Sequence, residues 1–304
     1  MPIKIPSTLP ARAILEAERI PLIEDARANR QDIRPLRIAL LNLMPDKIKT
    51  ETQLLRALGA TPLQVEMTLL RIGSHQSKNT SQEHLLAYYQ TLEDVKDQRF
   101  DALVVTGAPV EQLDYKDVTY WPELSAVFDW AKTHVFSSFF ICWGAQAALY
   151  HYHGVPKHMV DAKRFGVFDH RILMPFHPLI AGFDDDFTVP VSRNTEIRHA
   201  DAAKVAGLSI LAEADETGLC LAYEESSRRV YMFNHLEYDA ETLGAEYFRD
   251  TQAGLNTALP SHYFPENDPA RTPRITWRAH RTLLFSNWIN MVYQGTPYDL
   301  AELA

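Results

Sequence analysis

Residues 37–43, Arg-Ile-Ala-Leu-Leu-Asn-Leu, form a nearly continuous apolar run rather than an alternating one. A strand wetted on one face alternates apolar with polar residues, and a strand covered on both faces does not. The run therefore predicts a strand inside a parallel sheet flanked by helices. The pattern repeats. Met44-Pro45-Asp46-Lys47 leads into a predicted helix from Thr50 to Leu58, stopped at Gly59, and Pro62 to Arg71 reads as a second strand. Ala102 to Thr106 is a third buried strand, running into Gly107-Ala108-Pro109. A helix around Pro122 to Thr133 then precedes a fourth strand that ends on Cys142. This β-α-β-α-β alternation predicts an α/β fold with a doubly wound, mostly parallel sheet. In such sheets ligands collect at the carboxyl ends of the strands, where three loops meet: the Lys47 segment, Gly107-Ala108-Pro109 and the Cys142 corner.

The remainder decorates this unit. Residues 1–35 read as a proline-punctuated arm around one amphipathic helix, Ala11 to Ala28, with no strand of its own, packed on the body or on a second subunit. Thr80 with Glu83 predicts a capping box for a helix through Tyr89. After Gly154 shorter segments (Phe165–Leu173, Phe187–Val191, Ser209–Ala212, Gly218–Tyr223 and Arg229–Asn234) predict hairpins and a mixed sheet edge. A proline-rich crossover from Leu259 to Pro273 leads to a C-terminal helix over about Ile275 to Tyr293. No repeat or clean linker divides the chain, so the expectation is one α/β domain over 36–304 plus the arm. With 30 basic against 39 acidic residues, the formal charge of −9 argues against nucleic acid or an anionic membrane surface as partner. No stretch approaches the ~20 apolar residues of a membrane span. Two cysteines, Cys142 and Cys220, cannot build a disulfide framework or a zinc knuckle, so a soluble cytoplasmic protein with reduced thiols is expected.

The chemistry centres on Phe139-Phe140-Ile141-Cys142-Trp143-Gly144-Ala145-Gln146. Strand, sharp turn and helix with a nucleophilic side chain at the corner is the nucleophile-elbow arrangement, and the positive end of the following helix favours thiolate. A buried core cysteine fits the same stretch. Downstream, His235-Leu236-Glu237 follows a buried strand. Residues two apart in an extended segment face the same way, so a base and the group that orients it project together. Alone, such a pair reads as exposed polar residues; with an elbow cysteine upstream it completes a Cys–His–Glu triad. The histidines His151, His153 and His158 do not converge on one helical face, and no metal is expected there.

These motifs resemble the class I glutamine-amidotransferase-like superfamily. The closest likeness within it is to the homoserine O-acyltransferase family of methionine biosynthesis. Leu41-Asn42-Leu43-Met44-Pro45, Val105-Thr106-Gly107-Ala108-Pro109 and Tyr231-Met232-Phe233-Asn234-His235-Leu236-Glu237-Tyr238 extend the likeness over nearly the whole chain. Glutaminases usually carry proline between the triad His and Glu, where this chain has Leu236. The resemblance implies that Cys142 takes an acyl group from acyl-coenzyme A and passes it to the γ-hydroxyl of L-homoserine, with His235 as base and Glu237 as its orienter. The intermediate is then a thioester and the kinetics ping-pong. The oxyanion needs preorganised donors, for which the N–H of Trp143 and one in Gly107-Ala108 are candidates, with Lys47 nearby.

The resemblance also carries over Lys163, Ser192 and Arg249 as acceptor-binding positions, and Arg suits a carboxylate. Glu246, three residues before Arg249, joins them as a candidate for the ammonium; the same pair reads equally as an exposed helix salt bridge. Within the family the position held here by Glu111 is associated with donor choice, glutamate with acetyl-CoA and glycine with succinyl-CoA. A carboxylate there would repel a succinyl terminus; a solvent-facing glutamate is the plainer reading. The expectation is acetyl-CoA as co-substrate, no permanently bound cofactor and a homodimer. A glutamine amidase using the same triad and a non-catalytic binding module are the competing readings. Against the amidase, no phosphate-binding G-x-x-x-x-G-K-[ST] loop for a synthetase partner reaction is present.

Overall fold

The computed structural model describes residues 3–18, 20, 22–23, 34–75 and 79–303. In chain order the strands are β1 Ile3–Lys4, β2 Leu22–Ile23, β3 Leu36–Leu41, β4 Val65–Leu70, β5 Tyr89–Gln90, β6 Phe100–Val105, β7 Val135–Ile141, β8 His158–Ile172, β9 Asp186–Glu196, β10 Leu208–Ala214, β11 Gly218–Glu224 and β12 Arg229–Met232. The helices are α1 Ala11–Ala17, α2 Lys47–Leu58, α3 Gln82–Tyr88, α4 Leu92–Val95, α5 Trp121–His134, α6 Trp143–His153, α7 His199–Ala202, α8 Thr242–Gln252 and α9 Arg278–Gly295.

The strands form one sheet in the order β2-β1-β4-β3-β6-β7-β12-β11-β10-β8-β9, with β5 also on β4. From β2 to β12 the pairing is parallel; beyond β12 it is antiparallel. The expected doubly wound sheet with a mixed edge is therefore observed. Its central strands carry apolar residues to both faces for a visible reason. Ile38 and Leu40 of β3, and Phe139 and Ile141 of β7, join the core shared with α1, α2 and α9. Ala39, Leu41 and Phe140 face a second core built with α5 and α6.

Three expectations are corrected. The arm does have strands: β1 pairs with β4 at Ile3↔Val65 and with β2 at Ile3↔Leu22. Its helix ends at Ala17, with Leu22–Ile23 extended; residues 19, 21 and 24–28 of the expected helix lie outside the described residues. Finally, Ser81 rather than Thr80 caps α3, accepting from His84 N, because the Thr80 hydroxyl donates to the Pro45 carbonyl instead.

Candidate active site

β12 lies parallel beside β7 with Met232 opposite Ile141, so both chains leave the sheet at the same edge. Cys142 caps α6 with φ 50° and ψ −117°, a strained conformation for a non-glycine residue, and its N–H donates to the Met232 carbonyl at 2.7 Å. Two glycines make room for the corner. A Cβ on Gly144 would sit 2.6 Å from the Thr106 carbonyl oxygen, and one on Gly107 3.3 Å from the Cys142 Cβ. The sharp turn and the close approach of α6 to β6 both follow from those residues.

His235 Nδ1 lies 2.6 Å from Glu237 Oε1, and the Cys142 side chain is near enough to act on the imidazole. All three are buried. Burial opposes a charged imidazole, but the Cys142 sulfur and the Glu237 carboxylate outweigh it and raise the His235 pKa well above its ordinary value. The two neighbours thus favour the protonated imidazole. The Tyr238 ring stacks on His235 at 4.1 Å between centroids, fixing the plane of the imidazole. Burial and then the charges of Glu246, Glu237, Cys142 and Glu111 keep its phenol protonated.

Lys163, Ser192, Arg249 and Glu246 also come together. Glu246 Oε1 accepts from Lys163 Nζ at 2.6 Å and from Ser192 Oγ at 2.8 Å, while Arg249 stands 4.0 Å away and pairs with Asp250 at 2.6 Å. Lys163 falls in the register irregularity of β8 between Met159 and Arg164, and Ser192 sits opposite Phe165. The cluster thus joins the β8–β9 hairpin to α8. The Arg249 side chain is 69% exposed, and with Nε and Nη2 on Asp250 its Nη1 is the part left for an incoming carboxylate.

Glu111 does not point to solvent. Its Oε1 accepts from the N–H and the Nδ2 of Asn194 at 2.9 and 2.7 Å, and Oε2 lies 3.1 Å from Thr195 Oγ1. The Gly107 backbone flanks the Cys142 corner: a Cβ there would also lie 3.7 Å from Trp143 N. The first N–H groups of a helix have no intrahelical partner, so Trp143, with Ala108 next in the facing loop, remains a donor candidate. Lys47 has other company. Its Nζ donates to the carbonyls of Asn42 and Met44 at 2.7 and 3.2 Å, and burial lowers its pKa to about 8. No triad residue is among those partners.

The sequence reading missed a buried polar layer beneath the triad. Arg193 is 1% exposed and donates to the carbonyls of Thr195 and Thr217 and to Asn234 Oδ1. Asn234 Nδ2 meets His170 Nε2 at 2.9 Å, and Gln146 Oε1 lies 2.8 Å from Thr195 Oγ1. The signal was present: Ser192-Arg193-Asn194-Thr195 is a polar run, where the expected strand stopped at Val191 but β9 continues to Glu196. Cys220 is fully buried, and burial pushes its thiol up to about 12, which leaves Cys142 as the candidate nucleophile. The histidines His151, His153 and His158 each meet a different carboxylate, Asp129, Glu224 and Asp201. No metal-binding group of three or more such residues occurs among the described residues.

The α/β fold is one shared with solved glutamine amidotransferases. A glutamine amidotransferase from Thermotoga maritima superposes with TM-score 0.55 at 10% identity, covering 86% of this chain and 99% of its own. One from Methylobacillus flagellatus gives 0.51 at 14%, covering 86% and 94%. At such identities the likeness is of fold. A family model described as homoserine O-succinyltransferase matches residues 2–298. Relatives named homoserine O-acetyltransferase, from Allorhizobium ampelinum and Chelativorans sp., are 57% and 56% identical over 303 residues, covering 100% of this chain and 98% and 97% of theirs. The chain belongs to the homoserine O-succinyltransferase family.

Proposed function

We propose that the protein is a homoserine O-acetyltransferase of methionine biosynthesis, carrying acetyl from acetyl-CoA to the γ-hydroxyl of L-homoserine through a thioester on Cys142. The observation that carries this reading is that the triad and the Lys163–Ser192–Glu246–Arg249 cluster adjoin: the His235 N–H donates to the Pro190 carbonyl, two residues before Ser192, at 2.9 Å, and Tyr238 feels the charges of both Glu237 and Glu246. His235 takes the thiol proton, and the thiolate attacks the acetyl-CoA carbonyl. The CoA thiolate leaves with the proton. Homoserine then binds, its ammonium at Glu246 and its carboxylate at Arg249, with Lys163 and Ser192 completing the pocket. His235 removes the hydroxyl proton as the oxygen attacks the thioester; the Cys142–acyl bond breaks, the thiolate takes the proton back from His235, and O-acetylhomoserine leaves, so kinetics are ping-pong. In both steps the oxyanion is met by N–H groups of Trp143 and the Gly107-Ala108 loop.

Glu111 supports acetyl over succinyl. Held by Asn194 and Thr195, its carboxylate is a fixed negative charge that a succinyl terminus would have to approach. The printed names of the relatives agree with that choice, while the family description carries the succinyl alternative. We also propose that residues 36–304 carry the catalytic residues of one domain, against which the N-terminal segment packs, and that the enzyme is a homodimer of the reducing cytoplasm. No helix among the described residues is long and apolar enough to cross a membrane.

Intact mass after incubation with acetyl-CoA, succinyl-CoA or a reactive glutamine analogue tests the assignment. An acetyl adduct that is absent in Cys142→Ala and is discharged by homoserine is expected. Labelling by the glutamine analogue with no adduct from either acyl-CoA would replace the acyltransferase by an amidase. A faster or more complete succinyl adduct would change the donor.

A further inference from the structure

On the face of the sheet that carries α2 and α9, an open cavity of about 1030 Å³ lies between α1, α2, the residues just after the triad and the start of α9. Its wall is divided. Ile14, Ile20, Ile48 and Ile275 supply an apolar side, while Lys49, Arg56, Arg278 and Arg281 supply cations. Four carboxylates also border it, and their engagements differ. Glu18 and Asp239 both pair with Arg56, and Asp46 accepts from the Lys49 N–H as the cap of α2. Glu241 completes the set.

Arg281 is the anomaly. It is 6% exposed, yet among the described residues it makes no ion pair and no side-chain hydrogen bond. Removing a guanidinium from water without a partner is costly, so such groups are normally paired. Arg278 lies one turn earlier on the same face, and α9 begins there with no side-chain cap, so its first N–H groups and its positive dipole end front the same space. A nearly buried guanidinium that no carboxylate meets directly (Asp239 and Glu18, both paired with Arg56, act on it only from farther off), a second arginine at i−3 and an uncapped end of an 18-residue helix all ask for one chemistry.

We propose that this cavity is a binding site for a phosphorylated ligand of nucleotide size, its phosphate held by Arg281, Arg278 and the start of α9 and its organic part against the isoleucine wall. The phosphate can come from the nucleotide end of the acyl donor or from a separate phosphorylated small molecule. The first source rests on the acyltransferase reading and the second does not.

Calorimetric titration of the full chain with pyrophosphate, CoA and 3′-dephospho-CoA separates these, with binding as the readout rather than turnover. Pyrophosphate binding weakened at least tenfold in Arg281→Met and in the exposed Arg278→Ala, and largely kept in Arg281→Lys, is the expected result. If CoA weakens in parallel in those variants and on loss of its 3′-phosphate, the site holds the donor. If pyrophosphate alone weakens, the site serves a separate ligand. Equal affinities in wild type and all three variants, or no binding of any probe, would overturn the proposal. Because Arg278 is exposed, its variant remains informative even where Arg281→Met fails to fold.

Discussion

Glu246 and Glu111 show how the same side chain is given different work by its neighbours. Glu246 is matched by Lys163 and Ser192 with Arg249 close by, so an arriving ammonium can exchange for Lys163 without leaving a charge uncovered. Glu111 has neutral hydrogen-bond partners, the Asn194 amides and the Thr195 hydroxyl, which fix its position. A fixed carboxylate that no cation meets directly, though Lys157 and Arg193 lie within electrostatic reach, discriminates by repulsion as well as by filling space. Glu111→Gly should therefore raise the ratio of kcat/KM for succinyl-CoA over acetyl-CoA by tenfold or more, about 1.4 kcal/mol of discrimination. Steady-state kinetics with both donors measures it, and an unchanged ratio would remove Glu111 from donor choice.

Between elements, the close contact of α6 with β6 sets the elbow. Because a Gly144 Cβ would meet two backbone oxygens, Thr106 O at 2.6 Å and Val105 O at 3.0 Å, neither neighbour can yield as a side chain would. Gly144→Ala should cost roughly 1–3 kcal/mol, as overpacking usually does. It should also shift the Trp143 N–H away from the reacting carbonyl, so the rate of Cys142 acetylation falls even at temperatures where the variant is folded. Denaturant melts with single-turnover mass spectrometry test both parts; a full acetylation rate would show that the helix start need not sit so close. The same edge of the sheet holds a pH-sensitive joint. His170 accepts from Asn234 at Nε2 and meets the Phe168 carbonyl at Nδ1, so its neutral form fits, and burial lowers its pKa to about 4. The unfolded chain, with a pKa near 6.5, binds that proton first. The contribution is thus complete above pH 6.5 and is lost as pH falls toward 4, an effect on the order of 3 kcal/mol. The stability gap between wild type and His170→Asn should narrow over that interval in urea titrations; parallel curves would place the pH dependence elsewhere.

Across the whole molecule, what could be read from sequence followed the range of the interactions. The strand around 37–43 and the turn at Cys142 were legible because apolar runs and a strand–turn–helix corner are local patterns. The pairing of Cys142 with His235 needed only the inference that two buried strands adjoin, and Met232 does stand opposite Ile141. Arg193 was not legible, because a buried guanidinium satisfied by two carbonyls and Asn234 leaves only a polar run in a strand. Nor were β1 and β2, since two-residue strands have no period and exist only because β4 offers an unpaired edge.

That edge gives the N-terminal segment a structural task. Ile3, Ile5, Leu9, Ala11 and Leu15 are all buried in the core shared with α2, so the segment is part of the body's own packing. Burying a leucine is worth about 1.5–3 kcal/mol, and its removal leaves a cavity besides. Leu15→Ala should accordingly lose about 2–5 kcal/mol of stability. A chain lacking residues 1–18 should lose most of the 5–15 kcal/mol margin typical of a domain. Because the contacts are within one chain, the Leu15→Ala loss should be the same at all protein concentrations. A melting temperature whose deficit in the variant shrinks as protein concentration rises would instead mean that the segment packs on a second copy.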